Sequence, residues 1–485
     1  MRANSDFVVI GAGSSGCVVA RRLSDDPGVR VSLLEAGESG DGEAAVITPG
    51  RWVSLIGSRW DWAYATEPER GLDNRSIAAP RGKILGGSSG INAMAYVRGS
   101  RRSLDAWRER GNAGWGYDDL VPLFDRAERE VAVSECRDPH AGHEAFLAAA
   151  AAHGMAVDRR HDFNGPAPDG VAGFYRKNIR DGRRHSAAAA FLDPVRQRSN
   201  LEVMAACHVT RLIIDRGCCT GVEYVRNGQR QTLHAARGVI VCAGAVESPK
   251  LLMLSGIGPA EALRRHAIPV AVDLPGVGAN LQDHLKLSIR YHGVLPLPGS
   301  TVSAGLFTTS RGSAVPDLQF YVGRGAADSD PFVTITASHV RPASRGRVWL
   351  RSADPFVAPA MTCGYLTDQT DVEALVDGAR LAQSLLESTA YAALRGGRAE
   401  PADDMVSDGD IEAFARRRAE SVYHLAGSCR MGPSPGEGDV VDAALCVYGV
   451  EGLRIADASI MPVIIDAPTH AVCLAIGEKC AELVG

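Results

Sequence analysis

The sequence has no apolar run of 18 or more residues, and this absence excludes a membrane-spanning helix. It also has no internal repeat and no low-complexity linker. Its eleven cysteines are scattered from Cys17 to Cys480 and form no C-x-x-C pair. They predict reduced, mostly buried thiols in a cytoplasmic protein. The apolar strand that begins at Asp6 leaves no room for a signal peptide before it.

Neither sign of charge dominates the chain. Its 52 Lys and Arg residues stand against 57 Asp and Glu residues, for a net charge of −5. This balance argues against a nucleic-acid or membrane-surface partner. The hydrophobic content of 45% and the charged content of 22% are typical of a globular protein. A length of 485 residues exceeds one ordinary domain, so two large units are expected.

The strongest local pattern occupies the amino-terminal end. Residues 6–10 predict a buried strand, which leads into G-x-G-x-x-G at residues 11–16 and then into a helical run over residues 17–23. A second apolar strand, residues 29–34, ends on Glu35. A glycine turn between a strand and a helix, with an acid after the next strand, is the setting in which this motif binds dinucleotides.

Each residue of the motif has a physical reason to be there. Gly11 permits the tight turn, Gly13 lets the backbone approach a pyrophosphate, and Gly16 lets the helix pack closely on the strand. The start of the helix offers free N–H groups and a partial positive charge to phosphates. Glu35 can accept hydrogen bonds from a ribose diol. The sequence therefore predicts a dinucleotide site.

Apolar strands are concentrated in three separated places, residues 6–34, 201–258 and 453–457, and a helix is predicted over residues 469–483. This layout predicts a Rossmann-like α/β domain built from discontinuous segments. Residues 291–350 alternate more between apolar and polar, which predicts an α+β substrate domain with an antiparallel sheet. Helices of that domain are expected at residues 371–395 and 408–420. The predicted boundaries are 1–155, 193–290 and 421–485 for the first domain, and 156–192 and 291–420 for the second.

Four further motifs follow the fingerprint along the chain. They are residues 82–92 (GKILGGSSGIN, with Tyr96 and Asp105 after it), 244–258 (GAVESPKLLMLSGIG), 276–284 (GVGANLQDH) and 423–432 (YHLAGSCRMG). In order and spacing, over nearly the whole chain, they resemble the signatures of the glucose-methanol-choline (GMC) flavin oxidoreductases.

This resemblance implies FAD as the cofactor. The small residues 86–89 would let the backbone approach a flat ring and a diphosphate. Some members attach FAD through a histidine near residues 90–92, and none is present there, so we predict noncovalent FAD. The last helix begins near Pro468, and its dipole is expected to face the flavin pyrimidine. The residues implied in FAD binding are Gly11, Gly13, Ser15, Gly16, Glu35, Gly87, Asn92, Ala93, Val209, Ala243, Asp457 and Thr469.

The family oxidises alcohols: a histidine takes the hydroxyl proton while a hydride passes to flavin N5. The resemblance assigns this role to His424, and an imidazole suits it because its pKa lies near working pH. A second histidine or an asparagine normally follows, but the usual spacing lands on Pro468, which has no polar hydrogen. His470 is kept as another candidate, although helix geometry turns it by about 200° from Pro468.

The predicted reaction is the FAD-dependent oxidation of a small alcohol to a carbonyl, with oxygen or another electron acceptor. Members similar to pyridoxine 4-oxidase also have a proline at the second position, which favours a primary hydroxyl. Two alternatives stay open. One is a hydroxynitrile-lyase-like or decarboxylating relative, and the other is a flavin-binding protein with little catalysis.

Other polar residues carry less weight. His140 and His143 form an H-x-x-H pattern in a charged loop, and we interpret them as surface residues that hold no metal. Asp466 lies just before the last helix and is predicted to be its N-cap.

Overall fold

Two β-sheets organise the computed structural model, which describes residues 5–136, 139–165, 169–294, 302–324, 332–401 and 405–485. The first sheet joins strands from both ends of the chain. Its strands are Ser5–Ile10, Val31–Leu34, Leu201–Met204, His208–Asp215, Cys218–Arg226, Gln229–Val241 and Leu453–Ile455.

The strand Gln229–Val241 changes partners along its length. Its carboxyl half pairs in parallel with Ser5–Ile10 on one side and with Leu453–Ile455 on the other. Its amino half pairs antiparallel with Cys218–Arg226. The parallel strands end at one edge of the sheet, where ligands bind in open α/β sheets.

Helices cover the sheets and bury their apolar faces. Those in the described residues are Ser14–Leu23, Ala44–Ile47, Arg101–Glu109, Tyr117–Glu128, Ala141–Ala152, Gly244–Leu254, Ala260–Arg265, Gln369–Glu387, Asp408–Arg418 and His470–Val484. None of them is long and apolar enough to cross a membrane. The first and last helices approach closely at Gly477, where a Cβ atom would lie 2.7 Å from the Ser15 carbonyl oxygen. This contact packs the last helix directly against the first.

The second sheet is antiparallel except at one edge. Its strands are Ala156–Val157, Val171–Phe174, Leu285–Gly293, Ala304–Thr308, Leu318–Arg324, Phe332–His339, Arg395–Glu400 and Glu420–Ser421. In Leu285–Gly293 alternate residues are buried, and Leu287 and Ile289 join the core that packs on the helix Gln369–Glu387. The opposite face carries the polar residues between them.

This architecture confirms the predicted fold class, a discontinuous Rossmann-like unit with an antiparallel α+β unit. The predicted domain boundaries stay a prediction, and the strand Leu285–Gly293 runs across the one at residue 290. The eleven cysteines are free thiols, and eight of them are buried, as predicted.

Two local predictions were wrong. The helix expected over residues 371–395 ends at Glu387, because Ser388 is extended and Arg395–Glu400 is a strand. His140 and His143 are buried rather than on the surface. Their rings stack with centroids 3.6 Å apart, and His140 caps the helix Ala141–Ala152.

Candidate active site

A cavity of about 870 Å³ lies between the carboxyl edge of the first sheet and the polar face of the second. Its volume falls within the range of ligand and cofactor pockets. Every residue predicted to hold FAD lines it except Gly16. His424, Pro468 and His470 line it as well. The structure thus gathers residues from five distant parts of the sequence around one space.

Two glycine-rich segments meet at one end of this cavity. Gly11 has φ +93°, and a Cβ atom on Gly16 would lie 1.9 Å from the Gly11 carbonyl oxygen, so the turn tolerates neither side chain. Gly87 has φ +52°, and its Cβ would lie 2.8 Å from the Gly13 Cα. The Gly86 N–H donates to the Ala12 carbonyl at 2.7 Å. The segments form one cradle of bare backbone beside the start of the helix Ser14–Leu23.

Glu35 lies at the end of its strand, as the fingerprint requires. Its Oε2 accepts a hydrogen bond from the Ala12 N–H and its Oε1 one from the Gly37 N–H, both at 2.8 Å. Burial raises the pKa of Glu35 to about 7, although these two bonds oppose the shift. The carboxyl group is held rigidly in the cavity wall, where its remaining lone pairs can accept from a ribose.

His470 lies at the cradle, where it bonds to Ser14 rather than to His424. Its Nδ1 is 2.8 Å from the Ser14 Oγ, at the start of the first helix. The ring is more than nine-tenths buried, and its Nε2 has no hydrogen-bond partner among the described residues. Whichever group donates in the Ser14–His470 bond, one hydrogen-bond donor is left over.

Arg184 supplies a buried positive charge next to this cradle. The side chain donates to the Val46 and Ser89 carbonyls and to the Asn92 Oδ1 at 2.7–3.2 Å. It forms no ion pair with any described carboxylate, and its Nη2 is unpartnered. Burial lowers the pKa of Arg184 to about 9. An unpaired guanidinium and an unpartnered imidazole nitrogen fit a site that receives a diphosphate.

Asp457 connects the helix Gly244–Leu254 to the short turn Ala458–Ile460. Its Oδ2 accepts from the Gly244 N–H at 2.9 Å and from the Ser248 Oγ at 2.6 Å, and its Oδ1 accepts from the Ser459 N–H at 2.8 Å. These bonds fix the turn at Ala243, the N-cap of the helix Gly244–Leu254. The three hydrogen bonds fix the carboxylate in the cavity wall.

His424 lies in the cavity wall and contacts a second histidine, His284. The two Nδ1 atoms are 2.9 Å apart, and the ring planes are nearly perpendicular, at 89°. Burial, together with the charges of Arg81 and Lys286, lowers the pKa of His424 to about 3. Burial also lowers the pKa of His284 well below its ordinary value. Both rings are therefore neutral at neutral pH, and the pKa of His424 lies below the near-neutral value expected from the sequence.

Asp283 anchors the backbone of His424. Its Oδ1 accepts from the His424 N–H at 2.7 Å, and its Oδ2 accepts from the Tyr365 hydroxyl at 2.6 Å and from the Ser421 hydroxyl. The strand Glu420–Ser421 pairs with Leu285 and Lys286 in the second sheet. The motif at residues 276–284 therefore supplies both the anchor and the partner of His424.

Two models of a known protein family match this chain. The amino-terminal model of the GMC oxidoreductases matches residues 5–286, and the carboxyl-terminal model matches residues 342–477. The chain belongs to the GMC oxidoreductase family. It is an FAD-dependent oxidoreductase that acts on CH–OH groups.

Known proteins resemble this GMC oxidoreductase over most of their length. It is 36% identical to the mitochondrial choline dehydrogenase of Mus musculus, over 99% of this chain and 89% of the relative. It is 36% identical to the oxygen-dependent choline dehydrogenase of Sinorhizobium medicae, over 99% and 95%. Among solved structures, a pyridoxine 4-oxidase from Mesorbium loti is 30% identical and superposes with a TM-score of 0.92 over 99% of both chains.

Some features of the GMC site were missed or misread in the sequence. His284 stands in one of the four motifs, yet its contact with His424 spans 140 residues. Asp466 is not the N-cap of the last helix, because Thr469 occupies that position. Its carboxylate instead accepts from the Ser100 N–H at 3.0 Å and Oγ at 2.6 Å, and it faces Arg341 at 3.2 Å.

Buried neutral histidines predict an acid-sensitive fold. Burial lowers the pKa of His143 to about 3, whereas an unfolded histidine titrates near 6.5. As the pH falls from 7 to 5, only the unfolded chain takes up this proton, so His143 alone is expected to cost about 2 kcal/mol of stability. Urea unfolding of wild type at pH 7 and pH 5 measures the loss.

The His143→Asn variant is expected to show a shallower pH dependence of unfolding than wild type. The exposed His234 gives the matched control, and His234→Asn is expected to keep the wild-type slope. An unchanged slope in His143→Asn would contradict the assignment of a neutral buried ring.

Proposed function

We propose that this oxidoreductase converts a primary alcohol into an aldehyde, with His424 as the base that receives the hydroxyl proton. The observation that carries the proposal is the hydrogen-bonded pair of neutral imidazoles, His284 and His424, in the cavity wall. In the reaction the O–H bond and one C–H bond break and a C=O double bond forms. Bound FAD supplies the acceptor of the hydride at flavin N5.

The pair sets the tautomer of the base. The contact engages the Nδ1 atom of each ring, so one Nδ1 donates and the other accepts. We propose that His284 carries its proton on Nε2 and accepts at Nδ1. The Nδ1–H of His424 is then the donor in the 2.9 Å bond, and the Nε2 lone pair of this cavity-lining ring is left to accept a proton. This is the arrangement that a proton acceptor needs.

Pro468 supports a site with a single histidine. It lines the cavity but offers no donor or acceptor from its side chain. His470 is bonded to Ser14 at the cradle, so we propose that it serves the diphosphate end of FAD rather than the substrate. The pyridoxine 4-oxidase among the structural relatives supports a hydroxymethyl substrate.

Anaerobic mixing of the FAD-loaded enzyme with a panel of primary and secondary alcohols tests this function. We expect primary alcohols to bleach the visible absorption of the flavin faster than their secondary isomers. Adding air and measuring peroxide then distinguishes oxygen from another electron acceptor. A bound flavin that no alcohol reduces, with turnover of a cyanohydrin or an acid, would instead favour the lyase-like or decarboxylating alternative.

We further propose that FAD is held noncovalently and that the protein is cytoplasmic. The absence of a histidine at residues 90–92 supports the first proposal, and the eleven free cysteines support the second.

A further inference from the structure

The second sheet gives its half of the cavity an excess of positive charge. Among the described lining residues, Lys286 and Arg290 on this sheet and Arg81 at the Tyr423 carbonyl are basic, and Glu420 is the acidic one on the sheet. The other carboxyl groups in the lining, Glu35, Glu247 and Asp457, lie outside the second sheet. Glu247 is typical of them, because it accepts from the Tyr64 hydroxyl at 2.5 Å and pairs with Lys250.

Lys286 is the basic residue best placed to meet a substrate. It lies two residues after His284, and both Lys286 and His424 line the cavity, where the charge of Lys286 helps to lower the pKa of His424. His284 in turn holds His424. The Lys286 Nζ lies 5.5 Å from the centre of the Tyr423 ring and 3.4 Å from the Glu420 carboxylate.

Lys286 stays protonated, and its ion-pair partner Glu420 neutralises its charge only weakly. Burial opposes it, yet Tyr321, Tyr423 and Glu420 together raise the pKa of Lys286 above its ordinary value. The Lys286 side chain is 18% exposed, whereas that of Glu420 is 55% exposed. A carboxylate so open to water is well solvated and screens its partner weakly. An anion that enters the cavity can therefore still bind the ammonium group.

Arg290 adds to the same excess. It lies two residues beyond Ser288 on the polar face, and its Nη1 is 2.9 Å from the Glu400 carboxylate. The same carboxylate also binds Arg418 at 2.7 Å. Two guanidinium groups thus share one carboxylate. The part of the cavity beside the second sheet therefore keeps a net positive charge.

We propose that the substrate is a primary alcohol that carries a carboxylate, and that Lys286 binds this carboxylate while the hydroxyl lies at His424. The proposal rests on the proposed function of His424. Several curated relatives are choline dehydrogenases, and choline is a permanent cation. A lysine beside the base repels such a cation, so this chain is not expected to share that substrate.

A panel of matched acids and amides tests the substrate class on the FAD-loaded enzyme. The acids are 5-hydroxypentanoate, 6-hydroxyhexanoate and 4-(hydroxymethyl)benzoate, and each is compared with its neutral amide and with choline. We expect kcat/KM for the acids to exceed that for the amides by about 10- to 100-fold, as for other charge-assisted contacts. Choline is expected to be the poorest substrate.

Lys286→Met is expected to bring the acid-to-amide ratio close to one. Lys286→Gln provides a second variant, and FAD retention reports folding in both. Lys479, partly exposed on the last helix and outside the cavity lining, gives the matched control, and Lys479→Met is expected to keep the wild-type ratio. An unchanged ratio in the Lys286 variants, or a wild type that prefers amides or choline, would overturn the proposal.

Binding without turnover separates this proposal from the function on which it rests. Pentanoate and pentanamide lack the reacting hydroxyl, and the absorption of the bound flavin reports their binding. We expect pentanoate to bind at least tenfold more tightly than pentanamide in wild type, and equally in Lys286→Met. If no alcohol bleaches the flavin but this difference holds, the oxidation fails and the anion site stands. Equal binding of both probes in wild type would reject the anion site.

Discussion

Replacing His424 with alanine is expected to slow anaerobic flavin reduction by an alcohol by about 10²- to 10⁴-fold, the usual contribution of a general base. The side chain lies in the cavity wall, and its low pKa keeps it unprotonated at neutral pH. Pro468 cannot replace it, because its side chain accepts no proton. Stopped-flow bleaching of the flavin at saturating alcohol measures the rate.

The partner of His424 provides the graded control for this experiment. His284→Leu removes the acceptor that fixes the tautomer but leaves the base, so we expect a smaller loss, about tenfold, with an altered pH profile. His266, which bonds to the Leu350 carbonyl outside the cavity lining, gives the neutral comparison as His266→Ala. Flavin reduction in His424→Ala within threefold of wild type would remove His424 from the proposed mechanism.

Gly87→Ala is expected to yield a protein that has lost most of its FAD. Gly87 has φ +52°, where a side chain costs about 1–2 kcal/mol, and the new Cβ would lie 2.8 Å from the Gly13 Cα. The backbone must move apart at the place where the two glycine segments meet. A combined cost of about 2–4 kcal/mol corresponds to roughly 30- to 1,000-fold weaker binding. The ratio of flavin to protein absorption after purification, and titration of the apoprotein with FAD, measure it.

Gly312 provides the control, because it shows whether replacing any glycine with alanine lowers the FAD content. A Cβ atom added to Gly312 would meet no described atom within 4 Å, and the φ of Gly312 is not positive. Gly312→Ala is therefore expected to retain wild-type FAD content. Circular dichroism of both variants checks that the fold persists. Wild-type FAD affinity in Gly87→Ala would refute the close approach of the two segments.

The cofactor end of the site could be predicted from the sequence because its geometry is local. A strand, a glycine turn, a helix and an acid within 35 residues define the fingerprint, and the strand and helix expected there are present as Ser5–Ile10 and Ser14–Leu23. The last helix was also predicted closely, over residues 469–483 against His470–Val484. Its apolar run and the proline before it are signals within one stretch of chain.

The substrate end could not be predicted because its contacts are made by strand pairing. His284 reaches His424 only because Leu285 pairs with Ser421, and no local pattern encodes that register. The polar face of the second sheet was visible as alternation, but alternation does not say whether a polar face meets water or a cavity. The prediction that His140 and His143 lie on the surface was wrong for a related reason. Their burial depends on packing against residues that are distant in the sequence.

The bond between Ser14 and His470 joins residues 456 positions apart in the chain, and it closes the glycine cradle that we propose for FAD. A growing polypeptide cannot close it until His470 has left the ribosome. At about 5–20 residues per second, the fingerprint is synthesised roughly 25–90 s before its last partner. The complete cradle is consequently formed only after residue 470 has been synthesised, and each chain passes through a stage in which this bond is absent.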